Sequence, residues 1–161
     1  MLFNMILPAA QDTGGTATSF PVSAAVNGYI STTAYKGAIG KGADTPDRSE
    51  NDYSSASGKY GVVNYYFDFS SVPDTATITE MSIKVKGHKE NSDGYAVVGI
   101  RTPSASWGGT TTYFSTTTSQ VYTLPGISMT VAQLKEAYME FTVGRDGGLV
   151  EGATWTVTYE A

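Results

Sequence analysis

Chemistry that turns on a nucleophile has little to work with in this chain. It holds one histidine, His88, and no cysteine, so thiolate nucleophiles, disulfides and sulfur-ligated zinc are excluded. A Ser-His-Asp relay would have to run through His88. No Gly-x-Ser-x-Gly elbow accompanies it, and Gly87-His-Lys-Glu-Asn91 reads as a solvated loop at a strand end. The 15 acidic residues offer many carboxylate pairs for glycoside hydrolysis, but most fall on polar strand faces or in turns. The expectation is a protein without a catalytic centre.

Two constellations suit binding instead. Asp44, Asp47, Glu50, Asn51 and Asp52 place several oxygen ligands in one loop, as a structural calcium site would require. Their spacing is not that of an EF-hand, and Lys41 and Arg48 offset part of the charge, so a solvated acidic loop is the plainer reading and no cofactor is expected. Asp68 and Asp74 beside Pro73 read as turn-stabilising acceptors. Sugars, in turn, are held by aromatic faces with polar groups nearby. Trp107, Tyr113, Phe114 and Tyr122 lie in or beside a loop-rich region, which makes Trp107, Tyr113 and Phe114 the possible ligand contacts. Tyrosines and tryptophans at alternating positions more often fill a sandwich core, as expected for Tyr65, Trp155 and Tyr159. Only Trp107, in Ser106-Trp-Gly-Gly109, is better placed as a contact, and a core or subunit contact is the plainer role even there.

Charge narrows the partners. The formal net charge is -5 and the ten basic residues are scattered, so no patch is expected to grip phosphates and nucleic acid is not a partner. Met1–Ala10 is too short for a membrane span and has no Lys or Arg ahead of its apolar run, so a cytoplasmically made, unexported chain without a membrane partner is expected.

The elements that would carry these residues are mostly strands. In Val62–Phe69 the odd positions Val63, Tyr65, Phe67 and Phe69 are apolar, while Asn64 and Asp68 face away. After Ser70–Thr75 the alternation resumes from Ile78 to Lys86, with Met81, Ile83 and Val85 inward, implying an antiparallel neighbour. Tyr95–Arg101 is apolar on both sides, which suits a central strand. Gln120–Leu124, Tyr138–Val143 and Thr154–Tyr159 complete the clear strands, with Gly144–Gly152 as a connection. Val22–Tyr35 reads as a strand pair turning at Asn27-Gly28, and Gly37–Gly61 as a long surface loop. Thr130 and Gln133 are spaced as a capping box, with Met129 and Leu134 as its hydrophobic staple, which predicts one short helix over about 130–137.

Seven or eight strands with one helix predict an all-β protein: a jelly-roll-like antiparallel β-sandwich, with an immunoglobulin-like sandwich as the alternative. Residues 1–20 read as an N-terminal arm and 21–161 as a single sandwich domain. The apolar residues Leu2, Phe3, Met5, Ile6 and Leu7 would either form a first strand tucked into the sandwich or dock on a neighbour. The loose polar stretch that follows would act as a hinge. Sheet edges left bare would be covered by symmetry mates in a homo-oligomer.

The stretch Tyr66-Phe-Asp-Phe-Ser-Ser-Val-Pro-Asp-Thr-Ala-Thr-Ile-Thr-Glu-Met-Ser-Ile-Lys-Val85 resembles β-sandwich domains of bacteriophage virion structural proteins and bacterial surface proteins, including DNRLRE-like modules. Gly152-Ala-Thr-Trp-Thr-Val-Thr-Tyr-Glu160 is similar to the closing strand of such phage domains, and Thr130–Leu134 stands where they carry a short helix. Pro73 gives the resemblance a physical basis, because it lacks the N–H that a ladder needs. The resemblance implies a non-enzymatic virion component, such as a capsid decoration, head-fibre or tail accessory protein. It would be attached to other virion proteins and located in the particle. The alternative is a carbohydrate-binding or host-adhesion module with a host-surface glycan as ligand.

Overall fold

The computed structural model describes residues 14–28, 38–44, 61–90, 92–104, 111–125, 127–144 and 147–161. Nine strands and one helix follow in order: β1 (Gly15–Ser19), β2 (Ser23–Gly28), β3 (Gly61–Tyr66), β4 (Thr77–Lys89), β5 (Tyr95–Arg101), β6 (Thr112–Tyr113), β7 (Gln120–Leu124), α1 (Val131–Glu136), β8 (Tyr138–Gly144) and β9 (Gly148–Glu160). They form a four-stranded sheet in the order β1-β9-β4-β7 and a five-stranded sheet in the order β2-β3-β8-β5-β6, with every pairing antiparallel.

This is a jelly roll. With β2 set aside as an extra edge strand, the remaining strands pair as nested partners, β1 with β9, β3 with β8, β4 with β7 and β5 with β6, so that two four-stranded sheets face each other. The nesting follows from where the chain changes sheets. Val72 N–H donates to Phe69 O at 3.0 Å and Ala76 N–H to Pro73 O at 3.0 Å. These two tight turns carry the chain from β3 in one layer to β4 in the other. The antiparallel neighbourhood expected for these two segments is therefore corrected: they lie in opposite sheets of the sandwich. Both alternate, because each buries one face against the same interior.

That interior is read directly from the alternation. Val63 and Tyr65 from β3, Ile83 and Val85 from β4, Val98 and Ile100 from β5, Met139 and Phe141 from β8, and Trp155 and Val157 from β9 are all buried. Trp155 is the centrepiece, fully buried, with the rings of Phe67 and Phe69 meeting it in T-shaped contacts at 5.2 and 5.5 Å. Such geometry aligns the positive ring edge with the negative face. α1 closes one side of the core with Val131 and Leu134. Its capping box forms as expected: Gln133 N–H donates to Thr130 Oγ1 at 3.2 Å, and Thr130 N–H donates to Gln133 Oε1 at 2.9 Å. Met129 and Leu134, the expected staple pair, are both buried.

Three further expectations are corrected. Asn27 and Gly28 do not turn a hairpin; they pair with Val62 and Gly61 at the end of the β2–β3 ladder. Residues 15–19 belong to the sandwich, since β1 pairs with β9 from Gly15↔Tyr159 to Ser19↔Trp155, so an arm can only comprise what precedes Gly14. Residues 148–152 are part of β9 and not of a connection. Their glycines and Glu151 hid the strand, because they break the apolar alternation by which strands are read.

Candidate functional site

The strand pattern divides the surface into two outer sheet faces. On the five-stranded sheet, residues alternate with the core positions and line up across strands. Ser23, Tyr66, Tyr138 and Arg101 form one row; Ala25, Asn64, Glu140 and Gly99 the next. Val62, Thr142, Val97 and Tyr113 form a third, and Gly144 opposite Tyr95 a fourth. Tyrosines therefore stand at both ends of the face. Tyr66 and Tyr138 lie with ring centroids 5.6 Å apart, and Tyr95 and Tyr113 meet T-shaped at 5.8 Å. Tyr113 is 60% exposed.

Between the two pairs the face is polar. Arg101 Nε lies 3.3 Å from Glu140 Oε1, with both side chains partly exposed. The guanidinium has room there because the same-face residue two positions earlier on β5 is Gly99. A Cβ on Gly99 would stand 3.1 Å from both Arg101 Nη1 and Thr111 Oγ1, so a larger residue there would crowd the guanidinium. Asn64, directly opposite Glu140, has a buried Oδ1 with no hydrogen-bond partner among the described residues. A buried carbonyl oxygen left so is costly and seeks a donor. The face thus combines ring surfaces for apolar contact with acceptors and a cation for hydroxyl groups.

The outer face of the four-stranded sheet is built differently. Thr16 and Thr18 stand opposite Thr158 and Thr156, and the hydroxyls of Thr18 and Thr156 are 3.1 Å apart. A β-bulge between Lys86 and Gly87 leaves Glu151 as the extra residue on β9. Its carboxylate is buried, with Lys86 Nζ at 3.6 Å and His88 Nδ1 at 3.5 Å. His88 is therefore not a solvated loop residue: it belongs to β4 and is mostly buried against Glu151. Nearby, the segment 38–44 runs against β9. Ala153 N–H donates to Lys41 O at 2.9 Å and Ala43 N–H to Thr154 Oγ1 at 2.8 Å. In this cluster Lys86 and the His88 ring both lie against the Glu151 carboxylate, beside the 38–44 segment that covers β9.

The sequence-derived contact residues separate. Tyr113 stands on the tyrosine-bearing face. Phe114 does not: it is 3% exposed, stacked on Tyr122 at 4.7 Å and packed on Phe141 at 5.7 Å. Its ring fills the notch over Gly87, where a Cβ would come within 2.6 Å of it, so Phe114 is corrected from ligand contact to core. Trp107 and the arm residues Leu2, Phe3, Met5, Ile6 and Leu7 lie outside the described residues, as do Asp47, Glu50, Asn51 and Asp52 of the acidic loop. Asp44 is described and exposed. Among the described residues no three His, Asp or Glu side chains gather to hold a metal ion, and no helix is long and apolar enough to cross a membrane.

Asp68 and Asp74 behave as turn residues. Ser70 N–H donates to Asp68 Oδ1 at 2.9 Å. This backbone donor, followed by the Ser70 hydroxyl, holds the Asp68 carboxyl below the usual aspartate range. Asp74 pairs with Lys135 of α1. The residues missed by sequence reasoning are Tyr66, Tyr138, Tyr95, Asn64, Glu140 and Arg101. The available signal was aromatic residues at positions whose parity points away from the core.

No protein-family model matches this chain, and no curated protein is similar to it in sequence. Among solved structures, it is similar to the CBM36-1 domain of a multidomain xylanase from the hindgut metagenome of Trinervitermes trinervoides, with 12% identity, a TM-score of 0.47, and 88% of this chain and 96% of that chain covered. It is also similar to the Stig cyclase Fisc from Fischerella sp. TAU, with 10% identity, a TM-score of 0.40, and 98% of this chain and 81% of that chain covered. No residue role passes from either to this chain.

Proposed function

We propose that the chain is a non-enzymatic carbohydrate-binding module, with the outer face of the five-stranded sheet as its binding surface. The observation that carries this reading is the placement of Tyr66, Tyr138, Tyr95 and Tyr113 on the outer side of strands whose inner side already fills the core. Outward tyrosines add nothing to that core. Arg101 and Tyr95 are six residues apart on β5, which at about 3.4 Å per residue sets the two tyrosine pairs roughly 20 Å apart. That length suits several linked sugar residues, with the rings as stacking platforms and Arg101, Glu140 and Asn64 turned to hydroxyls between them.

Attachment to a bacteriophage particle, implied by the Tyr66–Val85 resemblance, gives such a module a setting: it would hold the particle to a host-surface glycan. This second part rests on the resemblance alone. The binding claim is tested by affinity electrophoresis or calorimetry of the full chain against a panel of polysaccharides. Retention by at least one, lost on Tyr138→Ala, supports it; a chain that binds none of them refutes it.

A further inference from the structure

The four-stranded sheet has one open lane. β9 pairs with β4 along the whole of Thr77–Lys89, but β7 pairs only with Ile83–Gly87. Among the described residues nothing pairs with Thr77–Ser82 on the β7 side. β7 cannot continue there, because Pro125 follows Leu124 and offers no N–H to a ladder. Alongside this edge run two adjoining troughs of about 280 and 320 Å³ that share Ile78 and Ser128. Met81 and Ile127 line the first and Met129 the second. A bare strand edge beside a trough that offers Ile78, Met81, Ile127 and Met129 is a template for another strand.

We propose that Met1–Ala10 of the same chain occupies this lane, adding a strand to its own β4. Three observations select this occupant. The first is position. Gly14, at φ +64, turns the chain against the end of β9, where a Cβ would meet Tyr159 O at 2.3 Å and Glu160 Cα at 3.1 Å. Tyr159 and Glu160 are the partners of Ile78 and Thr77, so Gly14 lies at the end of the sheet where the open lane begins. The second is reach. From β1 to the lane beyond β4 is three strand spacings, about 14 Å, while the six steps from Pro8 to Gly14 span up to about 20 Å. The third is pattern. Phe3, Met5 and Leu7 share one parity and would face the trough, with Leu2, Asn4 and Ile6 on the other side, and Pro8 ends the run where a ladder would stop. The segment thus completes its own sheet and does not tie the chain to a neighbour.

Because the chain has no cysteine, the test can use full-length double variants. Asn4→Cys or Ile6→Cys, which would share the outer face with residue 80, is combined with Glu80→Cys on β4, and separately with Thr142→Cys on the other sheet as a control. Oxidation in dilute solution should give an intrachain disulfide with Glu80→Cys at least about tenfold faster than with Thr142→Cys, through the higher effective concentration. Disulfides that form only between chains, or equal rates with the control, overturn the proposal. Independently, hydrogen exchange at those Thr77–Ser82 amides that face away from β9 should quicken about tenfold or more in full-length Met5→Asp. Unchanged exchange there overturns it as well.

Discussion

The two outer sheet faces of this jelly roll share one backbone logic and differ in what they present. The four-stranded sheet carries threonines, a hydroxyl contact between Thr18 and Thr156, and a buried Glu151 answered by Lys86 and His88. No Tyr, Trp or Phe within β1, β4, β7 or β9 takes an outward position. The five-stranded sheet carries two tyrosine pairs and an unpaired buried acceptor, Asn64 Oδ1. On the first face the buried carboxylate of Glu151 lies beside Lys86 and His88; the second presents outward tyrosine rings around a buried Asn64 oxygen. In a sandwich whose core is already filled, that difference is what the proposed binding surface rests on.

The comparison can be broken most sharply at Lys86. If the Glu151 cluster is structural, Lys86→Ala leaves a buried carboxylate short of a cation and should cost about 3 kcal/mol of unfolding free energy in urea titrations. A loss under about 0.5 kcal/mol would make this face an ordinary solvated surface. On the opposite face the balance should reverse. Tyr138→Ala is expected to weaken glycan binding by about 2 kcal/mol, while changing stability by less than about 1 kcal/mol. Arg101→Lys keeps the charge but loses the planar fork, so calorimetry should show a smaller drop in affinity, about 1 kcal/mol.

The smallest expected effect is at Asp68, outside both faces. Its carboxyl is held below the ordinary aspartate value of 3.8 by the Ser70 N–H and hydroxyl. The unfolded chain therefore binds the proton more tightly than the folded one. The stabilisation is fully present above the ordinary value and is lost as pH falls through the lowered one. Asp68→Asn should flatten the pH dependence of the melting temperature in that acidic window and nowhere else. An unchanged slope would remove Asp68 from the account.

Much of the fold was legible because burial writes itself as alternation. Val63, Tyr65, Met139, Phe141, Trp155 and Val157 were placed inward by parity alone, and the capping box at Thr130 and Gln133 fixed the helix start. Pairing was less legible. Nothing in Tyr65 or Ile83 says whether two alternating strands are neighbours or face each other across a core, and the Ser70–Thr75 link allows both. Strands rich in glycine escaped: Gly148–Gly152 looked like a loop, and with it the partner of His88 was lost. The site was the least legible part. Tyr66 and Tyr138 are 72 residues apart in sequence and become neighbours only through the β3–β8 register, whereas the loop aromatic Phe114 looked available and is core.

The measurement that bears most directly on the central claim compares one residue from each face in the same assay. Tyr113→Ala and Thr156→Ala would each be titrated, beside the unsubstituted chain, with a polysaccharide that the chain retains. The account predicts about a tenfold or greater loss of affinity for Tyr113→Ala and no change for Thr156→Ala. Equal affinities for all three proteins, or a loss confined to Thr156→Ala, would contradict it.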